Sequence, residues 1–200
     1  MITGIDISEK NGPINLDKGV ENDINFAYIK ASEALNSADS CFRNNMSEAR
    51  EKGLLVGAYH WLHPRLHVGQ QARFFIDIVG NFIGMLPPVV CLNTHRAPID
   101  QIEMNIKKFI EILEKSTGVK PVIFTSIAYW EKYLSTAEWA GNYPLWLDLP
   151  GGNLPPQIFP WAGWTFWQYT YQASLPGVPA AIGLNLFNGN KEELEKMVIE

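Results

Sequence analysis

Short runs of apolar residues alternate along the chain with stretches in which apolar residues recur every three or four positions. The short runs predict β-strands, and the periodic stretches predict amphipathic helices. The clearest helix is predicted over 99–116 and ends before Gly118 and Pro121, which are typical of a helix C-terminus. The apolar face of this helix consists of Ile102, Ile106, Phe109, Ile110 and Leu113.

The predicted strands and helices alternate over most of the sequence. Strands are predicted at 4–8, 25–32, 54–62, 88–93, 121–126, 144–149, 164–171 and 182–187. Helices are predicted at 41–52, 68–80, 99–116, 127–134 and 191–199. This order is typical of α/β proteins and leaves two architectures open, a parallel (β/α) barrel and a doubly wound sheet. The length of 200 residues favours a single domain spanning 1–200.

Composition and charge exclude several classes of function. Charged residues make up 18% of the chain and its net charge is −5, without any cluster of Lys and Arg. A nucleic-acid partner would require a basic stripe, so none is expected. No apolar run reaches the roughly 18 residues of a membrane span. Cys41 and Cys91 are not expected to pair, and no cofactor is expected.

A series of short motifs extends from Gly4 to Gly189. They are Gly4–Ser8, Phe26–Glu33, the triplet Asp39, Phe42 and Asn45, Gly53–Trp61, Gln71–Phe75, Leu86–Val89, Phe166–Tyr169 and Leu184–Gly189. In this order and spacing the motifs resemble glycoside hydrolase family 25, the Chalaropsis-type lysozymes. The resemblance implies a single-domain, distorted TIM-like (β/α) barrel. It also implies activity on bacterial cell-wall peptidoglycan, at the bond between N-acetylmuramic acid and N-acetylglucosamine.

The acidic residues of the family's pocket are largely missing from this sequence. The family has one acid on the first strand, two in an Asp-x-Glu motif and one in a late Asp-x-Asn motif. The resemblance places these at Asp6, Cys91, Asn93 and Gly183, so only Asp6 is retained. Glycoside hydrolysis normally requires two carboxyl groups, one of which protonates the leaving oxygen. Asn93 occupies the proton donor's position, and a carboxamide cannot donate that proton.

Several residues near predicted strand ends are candidates for substrate binding, because the active face of such a barrel lies at the C-terminal ends of its strands. They are Glu33, Tyr59, Trp61, Asn93, Trp146, Asp148, Gln168 and Tyr169. Tyr59, Trp61 and Trp146 are predicted to face the groove and stack on sugars. Glu33 and Asp148 either replace a missing acid or order a loop through ion pairs. Asp6 either binds sugar or has a structural role.

Two other chemistries are weaker interpretations of the same sequence. Cys91 with His60 or His95 would need a third group to orient the histidine, and no motif specifies one. His60, His63 and His67 are close in sequence, but alternation along a strand places His60 and His63 on opposite faces. No metal site is therefore predicted. His60 is expected to be hydrogen-bonded inside the barrel.

Three functions remain open at this point. The first is a peptidoglycan-directed domain with lost or strongly reduced hydrolysis, which binds glycan or has a structural role. The second is an active N-acetylmuramidase with a rearranged acid set. The third is a barrel reused for an unrelated partner, with a groove that binds protein in place of glycan. A protein partner in a phage tail or delivery particle belongs to the first of these functions. The predicted first strand starts at Gly4, so no signal peptide is expected. The protein would then reach a cell wall only by lysis or inside a phage or secretion particle.

Overall fold

The structure is a computed structural model that describes residues 1–16, 24–92 and 99–200. The strands are β1 (Ile2–Ile7), β2 (Ile24–Glu33), β3 (Ser37–Ala38), β4 (Leu55–Trp61), β5 (Val89–Cys91), β6 (Val122–Ser126), β7 (Leu145–Asp148), β8 (Phe166–Ala173) and β9 (Ile182–Phe187). The helices are α1 (Phe42–Glu51), α2 (Val68–Val79), α3 (Ile99–Thr117), α4 (Ile127–Tyr133) and α5 (Lys191–Glu195). Two 3₁₀ turns lie at Glu9–Asn11 and Glu138–Asn142.

The strands form one closed barrel. Their order is β1-β9-β8-β7-β6-β5-β4-β2, and β1 pairs with β2 to complete the ring. The short β3 forms a hairpin with the end of β2. Closure excludes the doubly wound alternative and confirms the predicted α/β barrel. The helices predicted for the first two thirds of the chain are present, and the last predicted helix is shorter, ending at Glu195.

The direction of β9 differs from that of the other barrel strands. It pairs antiparallel with both β8 and β1, whereas the remaining barrel pairings are parallel. The start of β9 therefore lies at the same end of the barrel as the C-terminal ends of its neighbours. This geometry brings Gly183 opposite Asp6 in register.

Aromatic side chains fill the barrel interior. Tyr28, Trp146 and Phe166 are 0–1% exposed, and the Tyr28 and Trp146 ring centroids lie 4.9 Å apart. Small residues make room for these rings, since a Cβ at Gly57 would lie 2.1 Å from the Tyr28 ring. A barrel packed in this way has a solid core, so a ligand can bind at an end of the barrel but not within it.

His60 lies on the outer side of the barrel wall, so its predicted position inside the barrel is wrong. Its ring stacks on Phe109 of α3 at 5.1 Å and also packs against Phe75 of α2. Nδ1 is 2.8 Å from Ser32 Oγ, and Nε2 is 3.4 Å from Gln71 Oε1. The helices that cover the wall exclude His60 from solvent, and it is 0% exposed.

Protonation of His60 is expected to destabilise the fold in acid. Burial lowers the pKa of His60 to about 4, from an ordinary value of 6.5. Between these values the folded state binds fewer protons than the unfolded state, so stability rises with pH across the window. Relative to His60→Gln, the native chain should lose about 3 kcal/mol of unfolding free energy as the pH falls through this window.

Urea denaturation of both proteins across this pH window measures the difference. Comparison at equal pH cancels the titration of other groups. These groups include Asp6 and Asp39, whose pKa values are raised, mainly by burial. Their titration therefore lowers stability as the pH rises, which is opposite to the effect of His60. Parallel pH profiles for the two proteins would show that His60 is not the group responsible.

Candidate functional site

The candidate site lies at the end of the barrel where Glu33, Trp61, Cys91 and Asp148 close their strands, here called the mouth. Side chains alternate between the two sides of each strand, so positions two apart share the interior. This rule places Trp146 and Asp148 on one interior row and Phe166 and Gln168 on the next. The mouth therefore gathers polar residues directly above the aromatic core.

Asp6 forms the centre of a hydrogen-bond network on the floor of the mouth. Gln168 Nε2 donates to Asp6 Oδ1 at 2.7 Å, and Asn185 Nδ2 donates to the same oxygen at 2.8 Å. Trp146 Nε1 donates to Asn185 Oδ1 at 2.9 Å. This Asp6 network joins four neighbouring strands, β1, β9, β8 and β7. The partners of Asp6 are thus two amides from the late motifs.

The environment of Asp6 favours its neutral form more than water does. Burial raises the pKa of Asp6, and the hydrogen bonds from Asn185 and Gln168 only partly offset this. Surrounding protein encloses the carboxyl group, yet the residue keeps partial contact with solvent. Such a group at the floor of an open mouth can still accept a hydrogen bond from a ligand.

Gly183 provides the space that the Asp6 carboxyl group occupies. A Cβ built at Gly183 would lie 1.8 Å from Asp6 Oδ1 and 2.6 Å from Gln168 Nε2. Real Cβ atoms do not approach other atoms this closely, so a side chain at position 183 requires Asp6 to adopt another rotamer. Asp6 can therefore hold its present position only because residue 183 has no side chain.

Cys91 is buried in the interior row at the end of β5 and is 3% exposed. Burial raises the pKa of the Cys91 thiol well above its ordinary value, and the charge of Asp6 adds to this. The thiol is consequently neutral at physiological pH and cannot replace an ionised aspartate. Both cysteines are free. Asn93 and His95 lie outside the described residues.

Glu33 contacts two basic side chains at the rim of the mouth, those of Lys30 and His63. Lys30 Nζ donates to Glu33 Oε2 at 2.5 Å, and His63 Nε2 lies 3.0 Å from Oε1. Burial alone would raise the pKa of Glu33, but the hydrogen bonds from Lys30 and His63 outweigh it and lower the pKa. Glu33 is thus held as a carboxylate, which is the wrong state for donating a proton.

The three aromatic residues predicted to face a groove differ in exposure. Trp146 is 1% exposed and belongs to the core, so its predicted position in an open groove is wrong. Its indole is aligned by Asn185, and its ring packs on Phe124. Tyr59 points inward but is 7% exposed. Trp61 is partly exposed and is the one of the three that offers a ring to a ligand.

The remaining predicted binding residues are divided between the two faces of the wall. Gln168 points inward and bonds Asp6, whereas Tyr169 lies on the outer face, where its ring contacts Trp167 at 5.8 Å. Asp148 is partly exposed on the interior row, in register with Gln168. The structure therefore brings Asp6, Trp61, Asp148 and Gln168 towards one mouth and leaves Tyr169 outside it.

Two site residues, Asn185 and Lys30, are absent from the sequence predictions. Asn185 is fully buried and bonds Asp6, and Lys30 is 8% exposed and bonds Glu33. Both lie inside motifs that carry the family resemblance, Phe26–Glu33 and Leu184–Gly189. A polar residue at an inward-facing position within such a motif was the signal available in the sequence.

Known proteins are similar to this chain in sequence and in fold. A model of the Glycosyl hydrolases family 25 matches residues 5–178. Lysozyme M1 of Streptomyces globisporus is 31% identical over 96% of this chain and 70% of the lysozyme. The uncharacterized protein YegX of Escherichia coli O157:H7 is 31% identical over 98% of this chain and 73% of YegX. The chain belongs to glycosyl hydrolase family 25.

Two solved structures are similar to this chain over nearly their whole length. The bacterial lysozyme from Streptomyces coelicolor matches with a TM-score of 0.92 at 29% identity, covering 98% of this chain and 96% of that one. A family 25 glycosyl hydrolase from Bacillus anthracis gives 0.87 at 28% identity, covering 98% and 93%. Within the described ranges, His, Cys, Asp and Glu form no group suited to a metal ion, and no helix could span a membrane.

Proposed function

We propose that this barrel is directed at bacterial cell-wall peptidoglycan and binds it with little or no hydrolysis. The supporting observation is the state of Asp6, the one retained family acid. Its carboxyl group is held by Gln168 and Asn185 in the space that a side chain at position 183 would need. Relatives that span the same barrel are named lysozymes, which supports a peptidoglycan target.

Hydrolysis is expected to be weak because no carboxyl group occupies the position of the family's proton donor. Cleavage of a glycosidic bond requires a protonated group at the leaving oxygen, and Asn93 carries a carboxamide instead. Such general acid catalysis is worth roughly 10²–10⁴-fold in rate. The neighbouring Cys91 thiol is neutral and buried, so it supplies neither a nucleophile nor a stabilising negative charge.

Glu33 does not compensate for the missing proton donor. A general acid must hold its proton near neutral pH, and enzymes achieve this by raising a carboxyl pKa. At Glu33 the partners Lys30 and His63 lower it instead. Glu33 therefore contributes a fixed charge at the rim and orders the surrounding side chains.

Binding can persist without catalysis because the mouth keeps groups that contact sugars. Trp61 presents a partly exposed ring, and aromatic rings pack on the apolar faces of sugars. Asp6 is partly accessible and can accept a hydrogen bond from a sugar hydroxyl. Tyr28 and Trp146 support this floor from below through the aromatic core.

Cosedimentation with purified sacculi tests this proposal. We expect the chain to sediment with sacculi, and Trp61→Ala to weaken retention by about tenfold, as loss of a stacked aromatic ring predicts. Trp164→Ala is the matched control, because Trp164 is also partly exposed but lies outside the mouth, next to Trp167. Absence of retention would instead favour a protein partner.

A second candidate function is an active N-acetylmuramidase with a rearranged acid set. The position of Asp148 favours this candidate. Asp148 lies on the interior row, partly exposed, one strand from Gln168. In this candidate, Asp148 would be the proton donor, and Asp148→Asn would abolish hydrolysis.

A further inference from the structure

A groove lies on the outer side of the barrel, between α1 and the segment that follows α2. It has a volume of about 580 Å³, and we call it the α1 groove. Its floor includes the buried Met46 and Met85 together with the partly buried Ile78. Because α1 packs outside the wall, the groove is separate from the Asp6 network and from the mouth.

Two arginines on the exposed face of α1 line the groove. Arg43 and Arg50 are seven residues apart, which places them on one face about 10 Å apart along the helix. Both are exposed, and neither makes an ion pair with any residue that the structure describes. The groove also contains Glu51, whose Oε1 accepts a hydrogen bond from Ser47 at 2.9 Å. Two guanidinium groups without an ion pair among the described residues, in a chain of net charge −5, favour an acidic partner.

The opposite wall presents an apolar side chain from a fixed backbone. Ile83 is 63% exposed, and its N–H donates to Asn81 Oδ1 at 3.0 Å. The next residue, Gly84, donates to the Ile199 carbonyl at 2.8 Å, and Ile199 donates back to the Met85 carbonyl at 2.8 Å. These bonds tie the wall to the C-terminal segment, so Ile83 is held at the edge of the groove without the ordering cost of a flexible loop.

We propose that the α1 groove docks an amphipathic helix of a partner protein, with acidic residues two turns apart beside apolar side chains. Such a helix presents carboxylates at the spacing of Arg43 and Arg50 and apolar contacts to Ile83 and the floor. The lining favours a helix over a glycan, because its one aromatic residue, Phe42, is buried and offers no ring for a sugar to stack on. The site is independent of peptidoglycan binding at the mouth.

The test uses a synthetic peptide of about 18 residues, long enough to form a helix, with Glu at positions seven apart beside a stripe of Leu. Titrated into the full ¹⁵N-labelled chain, it should shift the amide resonances of 42–51 and 78–85. The pair Arg43→Glu and Arg50→Glu should weaken its affinity by about tenfold, since two attractions become repulsions. A peptide with Lys in place of Glu should bind the native chain no more tightly than the acidic peptide binds that variant.

The matched control is the pair Arg65→Glu and Arg73→Glu, which changes the net charge equally at two exposed arginines outside the groove. Affinity for the acidic peptide should then stay within about twofold, because these side chains do not face the groove. An equal loss in both pairs would attribute binding to net charge and overturn the proposal. The absence of binding, or shifts confined to the mouth, would overturn it as well.

Discussion

Replacing Cys91 with Asp, Asn93 with Glu and Gly183 with Asp together is expected to raise muropeptide release from sacculi by about 10²–10⁴-fold. The glutamate restores a group that can protonate the leaving oxygen, and the aspartates restore negative charge opposite the developing cationic centre. Release is measured by chromatography of soluble muropeptides after incubation with purified sacculi. The expected gain is large because, under the proposed function, the native chain lacks a group for general acid catalysis.

Of the three substitutions, Gly183→Asp requires a rearrangement of the native structure. Its Cβ would lie 1.8 Å from Asp6 Oδ1, so Asp6 must leave its bonds to Gln168 and Asn185. Moving one short side chain out of a packed site costs about 1–3 kcal/mol, which a thermal unfolding curve detects. The matched control carries Asn93→Gln instead of Asn93→Glu, and differs only in the ability to donate the proton. Equal release by both triple variants would contradict the argument.

Asp6→Ala is expected to destabilise the protein by about 2 kcal/mol, because it removes the acceptor for two buried amides. Asp6→Asn should remain within about 1 kcal/mol of the native chain, because its carbonyl oxygen can accept the same two hydrogen bonds. Burial already disfavours the charged form of Asp6, as its raised pKa indicates, so loss of the charge itself costs little. Urea denaturation at neutral pH measures both variants.

The pH dependence provides an independent control for Asp6. A carboxyl group whose pKa is higher in the folded state contributes stability at low pH, and this contribution is lost as the pH rises through the folded pKa. The stability of Asp6→Asn relative to the native chain should therefore be lowest in acid. If Asp6→Asn were as damaging as Asp6→Ala at neutral pH, the negative charge would have to be the stabilising element. Asp6 would then have a different role from the one its amide partners indicate.

Much of the barrel could be predicted from the sequence because its signals are local. Alternation and helical periodicity predict the strands and helices to within a few residues, as at α3. The direction of β9 could not be predicted in this way, because an apolar strand reads the same in both orientations. The structure shows it antiparallel, and this is what places Gly183 against Asp6.

The site was less predictable because burial and pairing depend on the whole fold. Trp146 lies near the end of a predicted strand, as a groove residue would, yet interior packing leaves it only 1% exposed. The partners of Glu33 are Lys30, three residues earlier, and His63, which lies in a separate loop. Sequence spacing does not show the contact between Glu33 and His63. The absence of the family's acids was visible in the sequence, because a motif identifies each of their positions.

The decisive measurement is the rate at which the native chain releases muropeptides from sacculi. Loss of the proton donor predicts a rate indistinguishable from that of Asp6→Asn and roughly 10²-fold or more below that of an active family 25 lysozyme assayed beside it. A native rate comparable to the active lysozyme, abolished by Asp148→Asn or Glu33→Gln, would contradict it, because a different carboxyl group would then be protonating the leaving oxygen.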